Sequence, residues 1–76
     1  MKYAIVIEKA ENNYSAYVPD LPGCITTGKS LEETRRLMRE AIEFHIEGLR
    51  LHGDPVPTPT SICEYIAIEA PEPANR

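Results

Sequence analysis

Two cysteines are all the chain has, Cys24 and Cys63. One bridge is the most they could form, so a disulfide framework of the kind that staples small secreted domains is excluded. Cations are also few: 8 Lys and Arg stand against 12 Asp and Glu, a net charge of −4. Phosphate backbones are held by clustered cations. The only cluster here, Arg35 and Arg36 with Arg39 nearby, is interleaved with Glu32, Glu33 and Glu40. That is a mixed, solvated face, so direct nucleic-acid binding is not expected, whereas an acidic module suits a basic partner. Long apolar runs are missing too: none approaches the roughly 20 residues of a membrane span. Met1-Lys2 leads straight into a strand-like YAIVIE instead of a signal-peptide core. A soluble cytoplasmic protein with reduced thiols is the expectation.

Chemical motifs are equally sparse. There is no glycine-rich phosphate loop, nucleophile elbow or dinucleotide fingerprint. A helical metal pair needs two ligands three or four residues apart, but His45 and His52 stand seven apart, roughly 10.5 Å along a helix axis. No metal or other cofactor is expected. His45 falls on an apolar arc and reads as a core-edge residue, while His52 suits the cation-favouring end of a helix. Two-metal nuclease chemistry needs acids projecting together from strands and a neighbouring helix. The first strand offers Ile5-Val6-Ile7 and no acid until Glu8.

What is present fits one small domain, residues 1–69, followed by a tail at 70–76 that reads as disordered. A chain this short has a modest core and gains from a partner. Residues 2–10, KYAIVIEKA, are rich in β-branched and aromatic residues and predict a strand. ENN at 11–13 predicts a turn, YSAYV at 14–18 a second strand and CITTG at 24–28 a third. Ser30-Leu31-Glu32-Glu33 is a capping box with Ser30 as N-cap. It opens a helix from Leu31 to about His52 that stops at Gly53, with Pro55 just beyond. One arc of that helix carries Leu31, Leu37, Met38, Ala41, Ile42, His45, Gly48 and Leu49, opposite a charged arc. PVPTP at 55–59 predicts an extended linker, and SICEYIAIE at 61–69 a fourth strand.

The expected fold is therefore α+β in the order β-β-β-α-β. It comprises an antiparallel three-stranded meander, a fourth strand, and one helix on one face. The first and fourth strands are apolar on both faces, so a single helix leaves one face over. A row of apolar residues across neighbouring strands there points to completion by another chain, as in a homodimer.

Between the second and third strands lies VPDLPGCITTG, residues 18–28, where a carboxylate and a thiol sit among two prolines and a glycine. A nucleophilic cysteine needs a stabilised thiolate and oxyanion donors. Cys24 could meet a histidine but has no third orienting group, and it reads instead as a small strand residue beside a Pro22-Gly23 corner. A residual nuclease or hydrolase built on Asp20, Glu8 and a helix histidine is the enzyme alternative. A purely structural oligomer or small-molecule sensor is a third reading.

From Lys2 to Ser61 the chain resembles the HicB antitoxin family, most specifically in YVPDLPGCITTG, the SLEE helix start and the PVPTP exit. The resemblance implies a degraded ribonuclease H fold without catalytic acids. It also implies a non-catalytic role in binding and neutralising a small basic RNA-cleaving toxin of the HicA type. Many family members carry a further C-terminal DNA-binding segment. Only Ala70 to Arg76 follow Glu69 here, so operator binding by this chain is not expected, and a solitary member with another partner is the alternative. Asp20, Leu21, Pro22, Gly23 and Cys24 are the expected partner-binding residues.

Overall fold

The computed structural model describes residues 1–69; the tail expected to be disordered, 70–76, lies outside the described residues. Three strands, β1 (Val6–Lys9), β2 (Tyr14–Tyr17) and β3 (Ile25–Gly28), precede one helix, α1 (Leu31–Leu51). The strands form an antiparallel meander in the order β1-β2-β3. Ile7 pairs with Ala16 and Ala16 with Thr26, which fixes the helix-facing side of the sheet. A register slip of one residue would turn Ala16, 2% exposed, away from the core.

The first strand is shorter than its composition predicts. Val6 pairs with Tyr17, the last residue of β2. Residues 2–5 would have to pair with the chain beyond Tyr17, but there Pro19 has no N–H to donate and the chain leaves the strand in a turn closed by the Leu21 N–H on the Val18 carbonyl at 3.1 Å. The ladder ends where the corner begins.

The helix starts and stops as the sequence prescribes. The Ser30 hydroxyl accepts from the Glu33 N–H at 3.0 Å, and the Glu33 carboxylate accepts from the Lys29 N–H at 2.8 Å, one residue before the cap itself. At the other end the Asp54 N–H bonds the Leu49 carbonyl and the Gly53 N–H bonds the Arg50 carbonyl, the paired bonds of a Schellman close with Gly53 at φ 73°. The helix lies over β3 and β2, offset from β1. Its approach to β3 is close: a Cβ on Gly28 would stand 2.5 Å from Thr34 Oγ1 and 3.0 Å from the Thr34 backbone nitrogen. Only a glycine admits the first turn of the helix at that distance. Thr34 is fully buried and donates its hydroxyl to the Ser30 carbonyl at 2.7 Å, so no polar atom is stranded there.

The core consists of Ala16, Val18, Leu21, Cys24 and Met38, flanked by half-buried Tyr3, Ile5, Ile7, Ala41, Ile42 and Ile46. Ile46 joins the apolar arc read from the sequence. Residues 61–69, expected as a fourth strand, form no ladder. They run on as an exposed arm in which Ile62, Tyr65, Ile66 and Ile68 are each at least 76% exposed. The physical reason is packing: strand propensity is half-buried packing in disguise, and these side chains have nothing to pack against within one chain. The principal extents, 55 × 27 × 16 Å, describe an elongated molecule.

Candidate functional site

Residues 18–24 form two consecutive turns that share Leu21. The Leu21 N–H bonds the Val18 carbonyl at 3.1 Å and the Cys24 N–H bonds the Leu21 carbonyl at 3.0 Å. Pro19 and Pro22 each occupy the second position of a turn, where their fixed φ is already correct. Gly23 follows Pro22 with φ 83°, the conformation that a type II turn demands of its third residue. This sequence can therefore reverse direction twice within seven residues and return to β3 with the N–H groups of its three buried residues, Val18, Leu21 and Cys24, all bonded.

The corner places its side chains in alternation. Leu21 is 0% exposed and Cys24 4%, both in the core beside Met38, while Pro22 and Gly23 face solvent. Three of the five buried apolar residues (Val18, Leu21 and Cys24) come from this stretch. Burial raises the Cys24 thiol above its ordinary value by desolvation, which disfavours the thiolate that a nucleophile requires. Cys63 is exposed, and its thiol lies 3.8 Å from the Ile5 carbonyl oxygen, so the two cysteines are free thiols.

Asp20 is engaged within its own chain. One carboxylate oxygen accepts the backbone N–H groups of Thr60 and Ser61 at 3.0 and 2.9 Å. The other accepts their hydroxyls at 3.3 and 2.9 Å. The Asp20 carboxyl is consequently held below its ordinary value. The Ser61 N–H is the largest cause, partial desolvation opposes it, and the Ser61 hydroxyl and both Thr60 donors add to it. The clamp fixes the foot of the arm 40 residues along the chain. Tyr3 adds a second tie, its hydroxyl donating to the Pro57 carbonyl at 2.5 Å. No signal at Asp20 itself announces this clamp. The clue lay in Thr60-Ser61, two small hydroxyl residues directly after a proline-fixed extended segment.

The sheet face away from the helix carries the second feature. Val6 pairs with Tyr17 and Tyr17 with Ile25, so these three lie in one row across all three strands. Tyr17 is 41% and Ile25 69% exposed. The next row on that face is Glu8, Ser15 and Thr27, in which Glu8 is the charged member. Val6 lies on the face expected from the first strand to be left uncovered, while the fourth strand expected to extend that face is not in the sheet.

Among the described residues no group of three or more His, Cys, Asp or Glu side chains is placed to hold a metal ion. His52 uses its ring Nδ1 against the Gly48 carbonyl at 2.8 Å, as a C-terminal cap. His45 is half-buried on the helix. Among the described residues no helix is long and apolar enough to cross a membrane.

The chain is similar to known proteins. A solved structure of the HicA3 and HicB3 toxin-antitoxin complex contains a chain that superposes with a TM-score of 0.70 at 33% identity, covering 79% of this chain and 70% of that one. An uncharacterised 14.9 kDa protein of Haemophilus phage HP1 is 42% identical over 66 residues, 87% of this chain. The chain spans only 50% of that phage relative's length. A small protein of the UPF0150 group from Thermoplasma acidophilum is 43% identical over 58 residues, covering 75% of this chain and 84% of that protein. The family model for the HicB-like antitoxin of bacterial toxin-antitoxin systems matches residues 3–75, nearly the whole chain, and with the shared fold this establishes that the protein belongs to the HicB-like antitoxin family.

Proposed function

We propose that this chain is a non-catalytic binding module that acts as a homodimer and neutralises a small basic RNA-cleaving toxin of the HicA type. The observation that carries this reading is the open row Val6, Tyr17 and Ile25. It is an apolar strip beside the Glu8 carboxylate, on a chain of net charge −4. Apolar anchors ringed by complementary charge are how protein partners are recognised, with the charge speeding encounter. The rim of the corner, Pro22 and Gly23, extends the contact, while Leu21, Cys24 and the clamped Asp20 hold that rim in shape. Membership of the antitoxin family and likeness to a chain in a toxin-antitoxin complex support the partner class. The degraded ribonuclease H fold that the resemblance implies is compatible with a first strand that presents no acid before Glu8.

Isothermal titration against a purified HicA-type protein tests the reading. Tyr17→Asp and Ile25→Asp should each weaken binding at least tenfold, with far-ultraviolet dichroism unchanged. Glu40→Ala, on the outer helix where Glu40 meets Arg36 at 3.5 Å, should bind as the wild type does. Full affinity in both face variants would overturn it. Magnesium-dependent RNA cleavage abolished by Asp20→Asn would restore the enzyme alternative in its place.

A further inference from the structure

The arm at 61–69 is the part of the molecule left without a purpose by the proposed toxin contact. Its sequence alternates as a strand does: Ile62, Glu64, Ile66 and Ile68 on one side, Cys63, Tyr65, Ala67 and Glu69 on the other. Ile62 is 85%, Tyr65 105%, Ile66 77% and Ile68 76% exposed. Single exposed apolar residues are ordinary, but four within seven residues are not. The stretch holds no lysine and no proline, the residues with which natural proteins blunt a strand against pairing.

The same molecule displays the complementary surface. β1 is an edge strand, bonded to β2 on one side only. Beside it, because the helix is offset over β2 and β3, runs an open groove of about 450 Å³ whose lining combines apolar Tyr3, Ile5, Met38, Ile42 and Ile46 with charged Arg35, Arg39 and Glu43. A strand added at that edge would meet the β1 backbone and lower alternate side chains into the groove. The arm is rooted at this very edge: Thr60 and Ser61 are clamped by Asp20, and the Cys63 thiol touches the Ile5 carbonyl. Beyond Cys63 it leaves its own sheet unpaired. Six extended residues reach about 20 Å, enough to cross to another molecule and run the length of a four-residue strand.

We propose that the arm is an exchange strand: residues 62–68 of one copy add to the free β1 edge of a second copy, which returns its own arm. The contact is reciprocal, so it closes as a two-fold dimer and removes the open edge from both copies. Ile66 and Ile68 fill the groove beside Ile5 and Ile42, and the backbone hydrogen bonds follow the strand-addition mode. The inference rests on the homodimer of the proposed function and not on the toxin.

Sedimentation velocity and amide hydrogen exchange of the full chain at about 1 and 50 µM test it together. The expected result is a dimer in which amides 62–68 become protected at least tenfold at the higher concentration. Ile66→Asp/Ile68→Asp should be monomeric, with those amides exchanging freely and its helix content intact. A monomer at both concentrations overturns the homodimer and the exchange together. A dimer with unprotected arm amides overturns the exchange alone, as does a monomer whose arm is protected on its own sheet.

Discussion

Leu21→Ala is the substitution that best separates a corner built for packing from one built only for contact. Leu21 is wholly buried beside Val18, Cys24 and Met38. Truncating a buried leucine removes its transfer free energy and leaves a cavity, together about 2.7–5.0 kcal/mol in well-packed interiors. The corner lies at the rim of a core with only five buried apolar side chains among the described residues, so it can collapse partly, and about 3 kcal/mol is expected. A 76-residue chain has a total stability of about 4–11 kcal/mol on the usual per-residue scale. The loss is thus a large fraction of the whole. It should lower Tm by roughly 12–24 °C, or the urea midpoint by about 3 M for a slope of about 1 kcal/mol/M. Wild type and variant must be melted at one protein concentration, because the proposed dimer would make Tm depend on it. Pro22→Ala is the companion measurement: its ring is exposed, so only the loss of a pre-set turn applies, about 1 kcal/mol or less. A Leu21→Ala loss below about 1 kcal/mol, no larger than that of Pro22→Ala, would refute the packing argument.

Two further outcomes follow from the same geometry. The Asp20 carboxyl titrates lower in the folded chain than unfolded, so its contribution is complete above an unfolded value near 3.9 and is lost as pH falls through the depressed folded value. The Thr60 and Ser61 amide resonances should therefore move in acid with a midpoint below 3.9, and Asp20→Asn should abolish that movement; a midpoint at or above 3.9 contradicts the clamp. Gly28→Ala, whose methyl would stand 2.5 Å from the buried Thr34 hydroxyl, should cost about 1–3 kcal/mol by overpacking. Gly48→Ala, in the last turn of the helix with nothing within 4 Å of the new methyl, should gain about 0.5 kcal/mol, so thermal melts showing the two alanines in the reverse order would sink the close-approach account.

The parts legible in the sequence were those governed by local rules. Ser30 and Glu33 mark the helix start because their bonds span three and four residues, and Gly53 marks the stop for the same reason. The meander followed from alternation and turn residues, and so did the uncovered face at Val6. Two features were not legible. The β1 ladder is cut short by what its partner strand does after Tyr17, which no property of residues 2–5 records. Leu21 and Asp20 point in opposite senses for reasons that lie 17 and 40 residues away, at Met38 and Thr60. Nothing in a proline-rich turn says which of its side chains will find the core. The fourth strand shows the opposite failure: its local pattern is sound, but a strand needs an edge to pair with, and propensity alone does not supply one.

The corner thereby connects two surfaces that the sequence seemed to offer separately. Its inner residues fill the core, and its one carboxylate fixes the foot of the arm by four hydrogen bonds. The acid has four partners in its own chain, and its lowered pKa reflects those donors. They set the point from which residues 62–68 depart, beside the free edge of β1. Loss of Asp20 should then weaken the dimer and spare Tyr17 and Ile25, since neither takes part in the clamp. The bend and the open sheet face are separable by mutation on that reasoning: the first is tested by the proposed dimer, the second by the proposed toxin contact.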